Sequence, residues 1–239
     1  MSNPLRRDEV ARSLQAVRER IARATASAGR DPAEITLIVV TKFFPADDVR
    51  LLHDLGVRDF GENRHQEASV KYPPLRAEGR ELCLHFIGQL QSNKAAAVAG
   101  YADVVQTVDR ARLVSALARG AEHRGRPLDC LVQIDLDLPD PSASGRGGIP
   151  LEEAAALATQ VAEHDQLRLR GVMAVAPLGA DPEAAFRTLG GAARRIRADH
   201  PEADWVSAGM SGDLEAAIAQ GATHVRVGTA ILGSRPTVR

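Results

Sequence analysis

The sequence predicts a (β/α)8 barrel of the TIM type with one extra helix at the N-terminus. Two observations lead to this fold class: the chain contains eight strand-sized apolar segments, and amphipathic helical patterns fill the gaps between them. Each apolar segment is bounded by glycine, proline or charged residues, as is typical of buried strands. The segments are residues 35–41, 57–62, 82–88, 102–108, 129–136, 169–177, 204–210 and 224–232.

Alternating strands and helices imply parallel strands joined by right-handed crossovers. Eight such units in about 200 residues fit a closed barrel. Counting strands does not exclude a doubly wound open sheet, which remains the alternative. Only the stretch GSRPTVR follows the eighth segment, so we expect a single domain over residues 1–239.

The helical patterns follow the strands in order. The N-terminal helix has an apolar stripe formed by Val10, Leu14, Val17 and Ile21. Residues 45–56, after strand one, have acidic residues in the first turn and a glycine at the end. Further helices are expected to begin near residues 63, 91, 109, 150, 181 and 211, with Asp109 as an N-cap. The Pro/Gly/Ser-rich residues 137–150 are expected to form a mobile loop.

Composition narrows the function classes. A net charge of -1 and 3% aromatic residues argue against nucleic-acid binding. The N-terminus is charged and resembles no signal peptide, and no apolar run approaches the ~18 residues of a membrane span. Cys83 and Cys130 are far apart in apolar runs and are expected to be reduced core thiols. We therefore expect a cytoplasmic protein with neither a nucleic-acid nor a membrane partner. A monomer is also expected, although composition does not bear on the oligomeric state.

A lysine stands at the end of the first strand, in the stretch LIVVTKFF. Ligands of such barrels bind at the carboxyl ends of the strands, where Lys42 is expected to lie. Alternation along the strand places Lys42 on the same face as Val40 and Ile38. An amine on an apolar floor has a lowered pKa and is a better nucleophile toward carbonyls. The alternative is a lysine that extends past the strand end into solvent.

Two turns at the far end of the chain favour the first interpretation. Ser211 lies between strand seven and a helix, and Gly228 and Thr229 end strand eight. Loops after strands seven and eight form the usual phosphate site of these barrels, and small residues let backbone N–H groups approach an anion. Such residues are also common in tight turns. A carbonyl-reactive lysine beside a phosphate cradle indicates an aldehyde phosphate, and pyridoxal 5'-phosphate (PLP) has both groups.

Five blocks of sequence carry a resemblance to a known family. In order they are VVTK, FGENRHQE, HFIGQLQSNK, RLRGVMAVAP and GMSGDLEAAIAQGATHVRVGTAILG. Together they resemble the pyridoxal phosphate homeostasis protein family, single-domain relatives of the alanine racemase N-terminal barrel. The resemblance covers about residues 8–235. The sequence departs from the family at Leu232, where an aromatic residue is usual, and in the loop after strand five.

The resemblance implies a fold type III PLP barrel that holds PLP as a Schiff base on a lysine and serves vitamin B6 homeostasis. It maps that lysine onto Lys42 and the phosphate-binding hydroxyls onto Ser211 and Thr229. It also places Arg226 at the pyridine nitrogen of the cofactor. A buried carboxylate such as Glu62 is the alternative partner of this inward-facing arginine.

Asn63 follows strand two and is expected either to reach the cofactor ring or lysine, or to act as a turn residue. His85, within strand three, is expected to be a satisfied core residue. Racemases of this barrel type use a tyrosine from a second domain as the other acid–base, and this chain offers only Tyr72 and Tyr101. Tyr72 is expected beyond the second helix, and Tyr101 near the far end of the barrel.

The sequence therefore predicts a PLP carrier or buffer without enzymatic turnover. Free amino acids and PLP-dependent apo-enzymes are its possible partners. The alternatives are a slow amino-acid racemase and a Schiff-base lyase acting on a sugar phosphate.

Overall fold

Eight parallel strands close into a barrel, which confirms the predicted fold and excludes the open sheet. The computed structural model describes residues 4–137 and 147–234. Each strand pairs with the next along the chain, and the eighth pairs with the first. Most of the loop expected to be mobile, residues 138–146, lies outside the described residues.

The strands are β1 Thr36–Val40, β2 Asp59–Glu62, β3 Cys83–Phe86, β4 Val104–Val108, β5 Leu128–Gln133, β6 Leu167–Met173, β7 Trp205–Ser207 and β8 His224–Val227. The α-helices are α1 Pro4–Ser27, α2 Ala46–Asp54, α3 His65–Ala77, α4 Ser92–Ala99, α5 Ala111–Arg124, α6 Ala154–Ala162, α7 Pro182–Asp199, α8 Leu214–Ala219 and α9 Thr229–Leu232. Two short 3-10 helices span Pro32–Glu34 and Leu151–Glu153. The four residues of the expected stripe on α1 are all buried.

The eighth strand is shorter than the apolar segment that predicted it. It ends at Val227, and the backbone carbonyl of Gly228 accepts hydrogen bonds from the N–H groups of Ile231 and Leu232. These bonds close the single turn of α9. Ile231 and Leu232 are buried as part of this helix and do not extend the strand.

Two helix boundaries also differ from the prediction. Helix α3 continues through Pro73 and Pro74 to Ala77, so Tyr72 lies inside it and not beyond it. The N-cap of α5 is Arg110 and not Asp109. The Asp109 carboxylate accepts a hydrogen bond from the Arg110 guanidinium.

The two faces of the barrel wall differ in chemistry. Alternate residues such as Val39, Val225 and Val227 pack in an apolar layer between the strands and the helices. Inside the barrel, a small apolar cluster contains Val104, Leu131 and Met173. The rest of the interior includes buried polar side chains, which reach from one end of the barrel to the other. Within the described residues, no helix is long and apolar enough to cross a membrane.

Candidate cofactor-binding site

Lys42 lies just past the end of β1, in the turn that leads to α2, and is half-buried. The hydroxyl of the preceding Thr41 donates a hydrogen bond of 2.7 Å to Glu62 on the outer side of the barrel wall. Val40 and Ile38 face the inside of the barrel from β1, and Lys42 follows this strand at its carboxyl end. This location agrees with the prediction from sequence.

The chain has three lysines, and they differ in environment. The Lys71 amine is buried and donates to two carboxylates, at 2.8 Å to Glu62 and 2.7 Å to Glu67. Lys94 lies in the first turn of α4. Lys42 alone of the three stands in the turn directly after β1, beside the end of β8.

The two predicted phosphate turns lie next to this lysine. Ser211 is half-buried between β7 and α8, and Thr229 opens α9 directly after β8. Strand β8 pairs with both β7 and β1, so all three turns meet at one end of the barrel. A Cβ atom built on Gly228 would lie 3.2 Å from the backbone oxygen of Val40, tighter than ordinary contact. Glycine therefore permits the close approach of β8 to the end of β1.

Arg226 points into the barrel from β8 and is 4% exposed. Its guanidinium donates 2.7 Å to the Ser207 hydroxyl and 2.8 Å to the backbone oxygen of Ala174. Burial lowers its pKa to about 10, which the charge of Asp213 partly offsets, so the side chain remains a cation at neutral pH. A guanidinium has five N–H donors, and these two bonds leave further donors for a ligand.

Glu62 is not the partner of Arg226, contrary to the alternative considered from sequence. Its side chain lies on the outer face of the barrel wall, where it accepts hydrogen bonds from Lys71 and Thr41. The strand alternation explains the difference, because Phe60 and Glu62 share the outer face of β2 while Gly61 contacts the inner residues Ile38 and Val40.

A chain of hydrogen bonds runs from Arg226 down the inside of the barrel. Arg226 donates to Ser207, whose hydroxyl donates 2.7 Å to the amide oxygen of Gln106. The Gln106 amide nitrogen lies 2.9 Å from His85 Nδ1 and therefore donates to it. His85 then has its proton on Nε2, 3.0 Å from the Asp59 carboxylate. Both ring nitrogens are satisfied, as expected for a core histidine.

Three potential metal ligands lie at the end of this hydrogen-bond series that is farthest from Arg226. Donor atoms of Asp59, Cys83 and His85 all lie within 4.8 Å of one another. The direction of the hydrogen bond from Gln106 leaves the His85 Nε2 proton facing the other two groups. Burial also raises the pKa of the Cys83 thiol. Hydrogen bonds account for this cluster without an ion.

Asn63 lies at the same end of the barrel as Lys42, immediately after β2. Its Oδ1 atom is buried and has no hydrogen-bond partner among the described residues. A Cβ on Gly88 would lie 2.0 Å from the backbone oxygen of Asn63, so only glycine allows the turns after β2 and β3 to pack this closely. An unsatisfied buried polar atom fits a site built to meet a polar ligand.

Neither tyrosine is placed to act as a second acid–base. Tyr72 is fully buried on the outer side of the wall, with its hydroxyl 3.0 Å from that of Thr41. Burial raises its pKa well above the ordinary value. The Tyr101 ring stacks on His65, and its hydroxyl lies 3.2 Å from His65 Nδ1.

Sequence reasoning missed five residues that support the site: Glu67, Lys71, Gly88, Gln106 and Ser207. The spacing of Glu67 and Lys71 at i and i+4 on one helix was a usable signal for an ion pair. Nothing in the sequence showed that this pair meets the backbone of another turn. The contacts of Gln106 and Ser207 join residues 101 positions apart and have no local signature.

Comparison with known proteins agrees with this geometry. The sequence model described as "Alanine racemase, N-terminal domain" matches residues 13–236. The pyridoxal phosphate homeostasis protein of Mycobacterium bovis is 42% identical, with 97% of this chain and 95% of that protein covered. The protein of the same name from Escherichia coli is 40% identical, with 95% and 97% covered.

A solved structure extends the similarity to three dimensions. PipY of Synechococcus elongatus, in its structure with PLP bound, is 33% identical and superposes with a TM-score of 0.80. The alignment covers 94% of this chain and 100% of PipY. With this fold and these relatives, the chain belongs to the pyridoxal phosphate homeostasis protein family, whose barrel is of the alanine racemase N-terminal type.

Proposed function

We propose that this chain binds PLP as a Schiff base on Lys42 and serves PLP homeostasis as a carrier or buffer, with the barrel as a single PLP-binding domain. The observation that supports this most directly is the meeting of the Lys42 turn with the turns of Ser211 and Thr229 at one end of the barrel. PipY, a relative with PLP bound in its structure, is similar over its whole length.

Each proposed binding residue has a separate task. The residues proposed to hold the cofactor are Lys42, Asn63, Ser211, Arg226, Gly228 and Thr229. The hydroxyls and backbone N–H groups of the two turns bind the phosphate. PLP supplies an aldehyde that condenses with amines and a ring whose electron withdrawal depends on its pyridine nitrogen. Arg226, a cation that only donates, would keep that nitrogen unprotonated.

The positions of the two tyrosines, both within the described residues, favour a carrier over a racemase. Racemisation requires proton removal from one face of the substrate and proton return on the other. Lys42 can serve one face, while Tyr72 and Tyr101 are both held outside the barrel wall. A positioned general acid or base contributes about 10²–10⁴-fold to a rate, so its loss leaves a trace activity at most.

Transfer of the cofactor tests the carrier role. The protein is loaded with PLP, desalted and mixed with a cofactor-free PLP enzyme whose activity is followed. We expect the enzyme to recover activity with the loaded protein, and not with Lys42→Ala protein treated in the same way. A loaded protein that keeps its PLP and activates no enzyme would contradict delivery.

Proton exchange separates the carrier from the racemase. The loaded protein is incubated with L- and D-alanine in deuterated water, with Lys42→Ala as the blank. We expect free amino acids to react at the open site but to exchange their α-proton only at a trace rate. Turnover in the range of about 1–10³ s⁻¹ would establish an enzyme instead.

A further inference from the structure

We propose that Glu67 and Lys71 of α3 are positioning residues for Lys42, and that they set how fast PLP attaches to it. The inference deepens the proposed function and rests on it. Neither residue needs to touch the cofactor, because both act through the backbone on the two sides of Lys42.

The two peptide groups that flank Lys42 are each held by one side chain of α3. The carbonyl oxygen of Thr41, in the peptide before Lys42, accepts a hydrogen bond of 3.0 Å from the Lys71 amine. The N–H of Phe43, in the peptide after Lys42, donates 2.7 Å to Glu67 Oε1. Both peptide planes attached to the Lys42 Cα atom are therefore fixed by charged groups on one helix. Hydrogen bonds to charged groups are the strong ones.

The held turn has a backbone conformation that side chains disfavour. Phe43 has φ 71°, and it alone among the described non-glycine residues has a positive φ. A bulky residue in this region is strained and stays there only when surrounding contacts hold it. The bond from Phe43 N–H to Glu67 is such a contact. Without it, the turn can relax and carry the neighbouring lysine away from the barrel mouth.

The ion cluster of Glu62, Glu67 and Lys71 also contacts the turn that contains Lys42. Lys71 pairs with Glu67 at 2.7 Å and with the fully buried Glu62 at 2.8 Å. Glu67 is only partly buried, and its removal leaves the Lys71–Glu62 pair intact. Loss of Glu67 therefore frees one side of the Lys42 turn while the fold keeps its buried charge pair. Substitution of Glu67 therefore tests the hold on the Lys42 turn without removing the buried charge pair.

Two probes separate positioning from general structure. PLP reports attachment to Lys42 through the absorbance change and the mass added after borohydride reduction. Pyridoxine 5'-phosphate has an alcohol in place of the aldehyde, so its affinity reports the phosphate and ring contacts alone. In the Glu67→Ala protein we expect PLP attachment to slow by about tenfold or more. This factor corresponds to the loss of one hydrogen bond to a charged group. We expect the affinity for pyridoxine 5'-phosphate to be unchanged.

A matched pair of mild variants identifies the responsible contact. Glu67→Asp keeps the charge but withdraws the oxygen from Phe43 N–H, whereas Glu67→Gln keeps the reach and loses the charge. We expect Glu67→Asp to load as slowly as Glu67→Ala, and Glu67→Gln to load closer to the wild-type rate. Gln66→Ala, at the exposed neighbouring position on α3, is the control and should load at the wild-type rate.

The outcomes that overturn the proposal are distinct. Wild-type loading by both Glu67→Asp and Glu67→Gln would show that the contact does not position Lys42. An equal loss of PLP attachment and of pyridoxine 5'-phosphate affinity would indicate a general structural role. Failure of the proposed function itself has another signature, since the unmodified protein would then attach no PLP.

Discussion

Two buried polar networks flank the candidate site, and they are built differently. The outer network lies between the barrel wall and α3, and gathers Thr41, Glu62, Glu67 and Tyr72 around the Lys71 amine. The inner network is a chain of hydrogen bonds inside the barrel that begins at Arg226 and ends at Asp59. The outer network holds the turn of Lys42, and the inner network holds the arginine that we place at the pyridine nitrogen.

The difference lies in what each network does with charge. The outer network compensates one buried cation with two carboxylates within 2.8 Å and acts on backbone groups. The inner network links a cation and a carboxylate at its two ends through the neutral groups of Ser207, Gln106 and His85. Removal of a charged member strands another charge, whereas removal of a neutral member leaves only unpaired hydrogen-bonding groups. Substitutions in the outer network should therefore lower the free energy of unfolding more than substitutions of the neutral groups in the inner network.

The largest effect should belong to neither network. Ser211→Ala combined with Thr229→Val removes two hydroxyl donors to a dianionic phosphate, at about 1.5–3 kcal/mol apiece. We expect PLP affinity to fall by orders of magnitude, since backbone N–H donors remain, while both networks keep their contacts. Pyridoxal without the phosphate should be affected little. Equal losses for PLP and pyridoxal would show that these two turns do not form the phosphate site.

Breaking the outer network should cause the largest change in stability. Lys71→Met leaves Glu62 fully buried without its cation, and we expect about 3–5 kcal/mol of lost unfolding free energy in urea denaturation. Arg50→Met, which breaks an exposed pair with Glu78, is the control and should change stability far less. Adding Glu62→Gln to Lys71→Met should recover stability, because no carboxylate is then stranded there. If the double variant does not recover stability, the unpaired charge of Glu62 is not the cause of the loss in Lys71→Met.

Breaking the middle of the inner network should cost less. Ser207→Ala leaves the Gln106 amide oxygen and one donor of Arg226 unpaired, at about 1–3 kcal/mol in the same denaturation experiment. Arg226 keeps its bond to Ala174 and its charge. A loss as large as that of Lys71→Met would remove the distinction between the two networks.

Acid should destabilise the barrel interior through His224. Burial lowers the pKa of His224 to about 3 from an ordinary value near 6.5. Below pH 6.5, His224 is protonated in the unfolded chain but stays neutral in the folded protein. The free energy of unfolding therefore falls as the pH falls toward 3. We expect this residue to account for about 2 kcal/mol between pH 7 and pH 5.

His224→Gln should remove this part of the pH dependence, measured by urea denaturation at each pH. His123→Gln, at an exposed position on α5, should leave the pH dependence as it is in the wild type. An unchanged slope in His224→Gln would locate the acid sensitivity elsewhere.

Local pattern was enough to predict much of this molecule. Apolar segments bounded by turn residues predicted the eight strands, and alternation along β8 predicted the inner face of Arg226. These features depend on periodicity, which a single sequence displays. The stripe on α1 was predicted residue by residue for the same reason.

The features that were not predicted depend on contacts between distant segments. Glu62 was offered as a partner for Arg226, but the pleat of β2 turns it to the outer face, where Lys71 meets it. Tyr72 was expected beyond its helix, yet the helix continues through the two prolines that follow Tyr72. Glu67 and Lys71 were visible as a spaced pair, and their contact with the Lys42 turn was not.

The most direct test of the account is the site of covalent attachment. The protein is incubated with PLP, reduced with borohydride, digested and analysed by mass spectrometry. With three lysines in the chain, the assignment is unambiguous. We expect one adduct, on the peptide that contains Lys42, and none on folded Lys42→Ala protein. An adduct that persists on Lys94 or Lys71 in that variant would contradict it.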